Sequence, residues 1–234
     1  MLLKLWPWVG GAALGLLIAG PLLAYSQIAR PLTGFLVFAA SLLPALVAIV
    51  IGVLLLAGIG GERHVASGVA ALIFGLVPLA VIAPGLAKGG KVPRINDVTT
   101  DLEDPPALTV AAQDPDLAGK DLTFPVAFKD EVRRGYPSLA PLTISASSTE
   151  AFAKVETALG KIEGVTITRR DTEAGVIEGK AVTGLFKFVD DFAVRLQPQG
   201  GGTLIDMRSR SRVGQGDFGA NAARIEAVFG QLKQ

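Results

Sequence analysis

The chain has 234 residues, half of them apolar, with no cysteine and a formal charge of +1. Without thiols it has no disulfide, no thiolate metal site and no cysteine nucleophile. The averages hide two unlike parts, because Lys4, Arg30, Arg63, Lys88 and Glu62 are the only charged residues in 1–90. Taking these from totals of 22 basic and 21 acidic residues leaves 18 and 20 beyond residue 90, a formal charge near −2. Such a domain lacks the cationic surplus that non-specific nucleic-acid binding requires.

The first part, 1–87, reads as a three-helix transmembrane region. Crossing the hydrocarbon core takes roughly 20 apolar residues as a helix, and 5–24, 31–59 and 65–86 each supply them. The linkers 25–30 and 60–64 are short, as in a hairpin-connected bundle. Trp6, Trp8 and Tyr25 fall at the ends of the first span, where amphipathic rings favour the interface. A cleaved signal peptide is a poor reading of that span: its basic region is Lys4 alone, and Ala24-Tyr25-Ser26 is a weak cleavage site. Pro21, Pro44, Pro78 and Pro84 are tolerated in lipid, and Gly52, Gly68 and Gly75 permit close helix contact. The spans carry no internal charge, which argues against a pump or transporter. The lone His64 has no companion ligands, and no metal or other cofactor is expected.

Residues 88–141 form an extended segment with prolines at 93, 105, 106, 115, 125, 137 and 141, a density that forbids long helices. The segment has an acidic run, Asn96, Asp97, Asp101, Glu103 and Asp104, and too few apolar residues for a core of its own. It is expected to lie across the domain that follows.

That domain, 142–234, reads as β-α-β-β-β-β-α. A strand at 142–146 precedes Ser147, an N-cap with Glu150 three residues on, the signature of a capping box. Phe152, Val155, Leu159 and Ile162 then recur at helical spacing, and Gly164 ends the helix. Strands follow at 165–169, 175–182 and 186–196, the last with Phe186, Phe188, Phe192, Val194 and Leu196 on one parity. A turn at 199–202 leads to a strand over 203–213 and a helix with Phe218, Ala222, Ile225, Phe229 and Leu232 on one face. The expected class is two-layer α+β with an antiparallel sheet, of TATA-binding-protein-like or helix-grip shape.

The strand over 203–213 places Arg208, Arg210 and Arg212 on one face and Thr203, Ile205, Met207 and Val213 on the other. The arginine row leads into Gly214, Gly216 and a helix N-terminus, whose free N–H groups favour anions. Two readings stand side by side: capture of an anion or anionic partner, or a clamp on the chain's own acidic segment. The run Gly214-Gln215-Gly216-Asp217-Phe218-Gly219 fits a dinucleotide fingerprint, but that needs a further parallel strand. A glycine turn in which Asp217 caps the last helix accounts for it better. The acidic run lacks the alternating ligands and central glycine of a calcium loop. Asp190 and Asp191 point to opposite faces of a strand, so they make no carboxylate pair. No nucleophile–base set is present, and nothing in the residues argues for an enzyme.

Two blocks, Ile95 through Pro106 and Arg208 through Gly214 with Asp217, Phe218, Gly219, Asn221, Arg224 and Ile225, resemble the bacterial family called domain of unknown function 1499, over 92–234. The resemblance implies a domain on the outer face of the bacterial inner membrane, since similar proteins carry N-terminal membrane helices or are exported. It also implies that the acidic run and the arginine row belong to one feature. The positive-inside count points the other way by two charges, Lys4, Arg63 and His64 against Arg30, Lys88, Lys91 and Arg94. A margin of two charges is weak, and the expected placement is the one the resemblance implies.

The reading is therefore a multi-pass inner-membrane protein with a periplasmic binding or scaffold domain. Its partners are the lipid bilayer and an envelope protein, lipid headgroup or small anion, with no nucleic acid. A hydrophobic-ligand carrier, with the ligand between sheet and helices, and an enzyme acting on a phosphorylated or lipid substrate are the alternatives.

Overall fold

A computed structural model describes residues 1–59 and 61–233. Gly60, where the second expected linker begins, and Gln234, the last residue of the expected domain, lie outside them. The chain divides into two compact units, Met1–Lys88 with Gly184–Lys187, and Gly89–Thr183 with Phe188–Gln234.

The first unit is built from α1 (Leu2–Tyr25), α2 (Pro31–Ala40), α3 (Leu42–Ala57) and α4 (Val65–Gly89). Helices α2 and α3 run on as one apolar stretch, Pro31–Ala57, broken at Ser41. Pro44 lies just beyond the break and has no N–H to give to the carbonyl four residues back. Three stretches, Leu2–Tyr25, Pro31–Ala57 and Val65–Gly89, are therefore long and apolar enough to cross a membrane. Helices that cross a membrane have no hydrophobic drive toward one another and depend on close packing. Glycine makes that approach possible: a Cβ on Gly20 would stand 2.5 Å from the Gly34 carbonyl oxygen, and one on Gly75 2.5 Å from that of Ala45.

The second unit is an open α+β domain. Its strands are β1 (Asp97–Thr99), β2 (Leu142–Ile144), β3 (Val165–Asp171), β4 (Val176–Val182), β5 (Val189–Gln199) and β6 (Gly202–Ser211). They form one antiparallel sheet in the order β1-β6-β5-β4-β3, with β2 also on β6. β1 sits opposite residues 208–210 and β2 opposite 203–205, so the two short strands share one edge of β6. The helices are α5 (Phe128–Gly135), α6 (Ser148–Gly160) and α7 (Ala220–Leu232). α6 begins in a complete capping box between Ser147 and Glu150.

Parity explains the core. Ile177, Phe192, Val194, Ile205 and Met207 project from one face of the sheet and are buried with Phe152, Val155 and Leu159 of α6 and Ile225 and Phe229 of α7. The opposite face is also covered, by the segment between β1 and α5. That crossover puts Leu108, Ala111 and Leu117 against Ala193 of β5 in a second small apolar cluster.

The expected strand at 186–196 needs correction. β5 starts at Val189, and Phe186 groups with the first unit. Lys187 has φ 58°, which breaks the extended run. A turn closes there, with the Thr183 amide donating to the Phe188 carbonyl and the Phe188 amide to the Thr183 hydroxyl, both at 2.9 Å. The arginine strand likewise ends at Ser211, leaving Val213 outside it and 37% exposed rather than packed inward.

Candidate functional site

The face of the sheet away from α6 and α7 carries charge. Register sets Asp97, Arg210, Asp191 and Lys180 side by side across β1, β6, β5 and β4. The next row runs Thr99, Arg208, Ala193, Glu178 and Arg169, and the one after it pairs Asp206 with Arg195. Opposite charges thus meet across strands, the arrangement that stabilises a cross-strand pair.

The crossover closes on this face through carboxylates and carbonyls. Arg208 is 3% exposed and holds Asp97 at two points, Nε–Oδ1 3.0 Å and Nη2–Oδ2 2.7 Å. Its remaining N–H groups reach the carbonyls of Pro106 and Leu122, and its guanidinium lies over the Phe124 ring. Arg212 makes a second two-point pair with Asp191, at 2.9 and 2.8 Å, and draws in Asp114 of the crossover at 2.7 Å. Arg195 gathers Asp101, Asp104 and Asp206 within 3.3 Å. Glu178, 2% exposed, accepts from the Thr109 hydroxyl, the Val110 amide and Arg169. Burial pushes the carboxyls of Asp97 and Asp206 up, against the pull of their arginines. Asp114 is held below the usual carboxylate range, first by the Asp116 amide and then by Arg212.

A second polar cluster lies under α7. Arg224 reaches Asp190 at 2.6 Å, the Ser209 hydroxyl at 2.6 Å and Asn221 Oδ1 at 2.9 Å. Asn221 is fully buried and also donates to Ser211 Oγ and the Asn96 carbonyl. These contacts tie β5, β6 and Asn96, the residue before β1, to the helix, and every member is satisfied, as a buried network requires.

Arg208 and Arg212 are committed to internal carboxylates. Arg210 is the least engaged: its Nη2 donates to the Asp121 carbonyl at 2.9 Å, its Nε stands 3.8 Å from Asp97, and its buried Nη1 has no protein partner. The Gly214 carbonyl accepts from Asn96, and Gly216 lies against Arg94. The N-terminus of α7 is filled by Asp217, whose carboxylate accepts from the amides of Gly219 and Asn221. Asp97 meets the arginine row, whereas Asp101 and Asp104 serve Arg195. Glu103 instead joins Lys129 and Arg133 of α5.

Sequence reasoning therefore missed Arg195, Asp206, Glu178, Asp191 and the Arg224–Asp190 pair. The even spacing of Asp191, Ala193 and Arg195 marks the outer face, but Asp104 and Asp101 lie 91 and 94 residues from Arg195, and nothing local announces them. Among the described residues, no group of histidines and carboxylates could hold a metal ion.

Two cavities open on this covered face. One, of about 70 Å³, lies between the crossover and β4–β5 beside Glu178, Asp191 and Arg212. The other is a groove of about 520 Å³ along the crossover, bounded by Leu102, Pro105, Leu108, Leu122, Phe124 and Val126, with Lys129 and Arg208 also in its lining.

A comparison with curated proteins finds no match to the chain. The family described as "Protein of unknown function (DUF1499)" matches residues 97–232, from the first residue of β1 to the last of α7, and so takes in the clamped arginines, the crossover and both polar clusters. The chain belongs to that family.

Proposed function

We propose that the chain is a binding or scaffold module tethered in the bacterial inner membrane by its three apolar helices, with the α+β domain on the periplasmic side. The arginine row and the acidic residues paired with it form the region that meets an anionic partner, an envelope protein, a lipid headgroup or a small anion. The observation that carries this reading is the inward closure of the domain's charge. Arg208, Arg212 and Arg195 each hold carboxylates of the chain itself, while Arg210 keeps a buried N–H with no protein partner. Such an arrangement fixes a surface and leaves Arg210 Nη1, together with Arg195 Nε, as buried donors open to a ligand. It supplies no nucleophile–base set for catalysis.

The test has two parts. A reporter active only outside the cytoplasm, fused to the C-terminus, is expected to be active; a silent reporter with an active cytoplasmic one overturns the placement. In-cell cross-linking through a photoreactive residue at the exposed Gln215 is then expected to capture an anionic partner and to lose it in Arg210→Gln. Capture that survives that substitution in a folded protein overturns the role of the row.

A further inference from the structure

The second cavity has a built entrance. Lys129 and Arg133 stand one turn apart on α5, and both reach a single carboxylate: Lys129 Nζ is 2.8 Å from Glu103 Oε2, and Arg133 Nη2 is 3.0 Å from Glu103 Oε1. That Glu103 side chain is 74% exposed, so the pair sits in water, where an ion pair contributes little and exchanges readily. Lys129 and Glu103 belong to the lining of the 520 Å³ groove. Inside, the walls are Leu102, Pro105, Leu108, Leu122 and Phe124, and Val126 stands 77% exposed at the groove. Volume and lining fall in the range of small-molecule sites, apolar with a few placed polar groups. On the other face of the sheet, the layer against α6 and α7 is filled by Ile177, Phe192, Val194, Ile205 and Met207, each 1% exposed or less.

We propose that this groove binds a single-chain anionic amphiphile of the fatty-acid class. Its hydrocarbon tail lies along Leu102, Leu108, Leu122 and Phe124, and its carboxylate displaces that of Glu103 from Lys129 and Arg133. Charge complementarity selects this occupant, because the two cations already hold a carboxylate at the groove, and Lys129 keeps the Glu103 carboxyl below its ordinary range. The tethering helices keep the domain beside a bilayer, where such amphiphiles concentrate. The inference rests on reading the domain as a binding module, but it concerns a site other than Arg210.

The test uses the full chain in phosphatidylcholine nanodiscs and palmitate bearing a terminal diazirine, with adducts mapped by peptide mass spectrometry. Adducts are expected within residues 102–126. Ala112→Trp, at an exposed lining position, fills the groove and should cut labelling by about tenfold without changing the melting temperature, an effect of about 1.4 kcal/mol. Glu103→Gln frees Lys129 and leaves Arg133 held by Asp130 alone, at 3.0 Å, and should raise labelling at low probe concentration, a gain that a purely structural role for Glu103 does not give. Lys129→Gln with Arg133→Gln should lower labelling and abolish any preference for the acid over the matching alcohol. Adducts confined to residues 1–88, labelling indifferent to Ala112→Trp, or no preference for the acid in the unaltered chain would each overturn the proposal. Loss of partner capture at Arg210 leaves this labelling untouched, so the two readings fail separately.

Discussion

Arg208 and Asp97 grip each other at two points inside the domain, 111 residues apart in sequence, with side-chain exposures of 3% and 1%. The pair joins β6 to the first strand of the family region, and from Asp97 the chain continues directly into the crossover. Its energy is a balance, because burial disfavours both charges while the paired geometry restores the loss.

Removing one partner leaves the other buried and uncompensated. Asp97→Asn is therefore expected to cost about 3–5 kcal/mol of unfolding free energy, read from denaturant melts of the full chain. Asp97→Leu combined with Arg208→Met removes both charges and should recover most of that loss. A single variant as stable as the unaltered protein would mean that the crossover is held by its apolar cluster around Ala193 instead.

Acid should remove the stability that the depressed carboxyls contribute. Asp114 and Asp171 are held below the usual carboxylate range, Asp114 first by the Asp116 amide and Asp171 first by the Ala174 amide, each with an arginine second. A depressed carboxyl contributes stability that is present above its unfolded pKa and disappears as pH falls through its folded one. Asp97 and Asp206 are raised by burial, so their contribution has the opposite sign: it is present at low pH and is lost as pH rises through the folded value. The loss from Asp114 and Asp171 should set in below about pH 4, and Asp114→Asn should flatten that acid limb of the melting temperature. An acid limb that is the same in Asp114→Asn would exclude this carboxylate as a source of the loss.

The helical capping box, the four-strand meander and the terminal helix were legible because each is written in local residues: Ser147 and Glu150, alternating strand parity, and Asp217 before α7. The pairing of Arg208 with Asp97 was foreseen only as one acidic run facing one basic row. Its detail was not, because Glu103 lies in the same run as Asp101 and Asp104 yet turns to α5, while Asp114 and Asp191 from outside the run complete Arg212. Side chains from five strands and a crossover meet there, and no spacing in the chain records which strand lies beside which. Phe186 shows the reverse error, a residue of the right parity carried out of the strand by the positive φ of Lys187.

Glycine sets the closest approach between the membrane-length helices. A Cβ on Gly75 would lie 2.5 Å from the Ala45 carbonyl oxygen and 2.6 Å from Ile49 Cγ1, so backbone on the facing helix would have to move. A Cβ on Gly15 meets nothing within 4 Å. Gly75→Ala should therefore weaken the α3–α4 packing by about 1–3 kcal/mol, the usual cost of overfilling a close contact, while Gly15→Ala should be neutral or slightly stabilising through its helix propensity. Titration of the detergent-solubilised chain with dodecyl sulfate, followed by helix content and protease resistance, compares the two. Equal behaviour of the variants would show that the close approach at Gly75 does not hold these helices together, and lipid-facing packing elsewhere would have to do so.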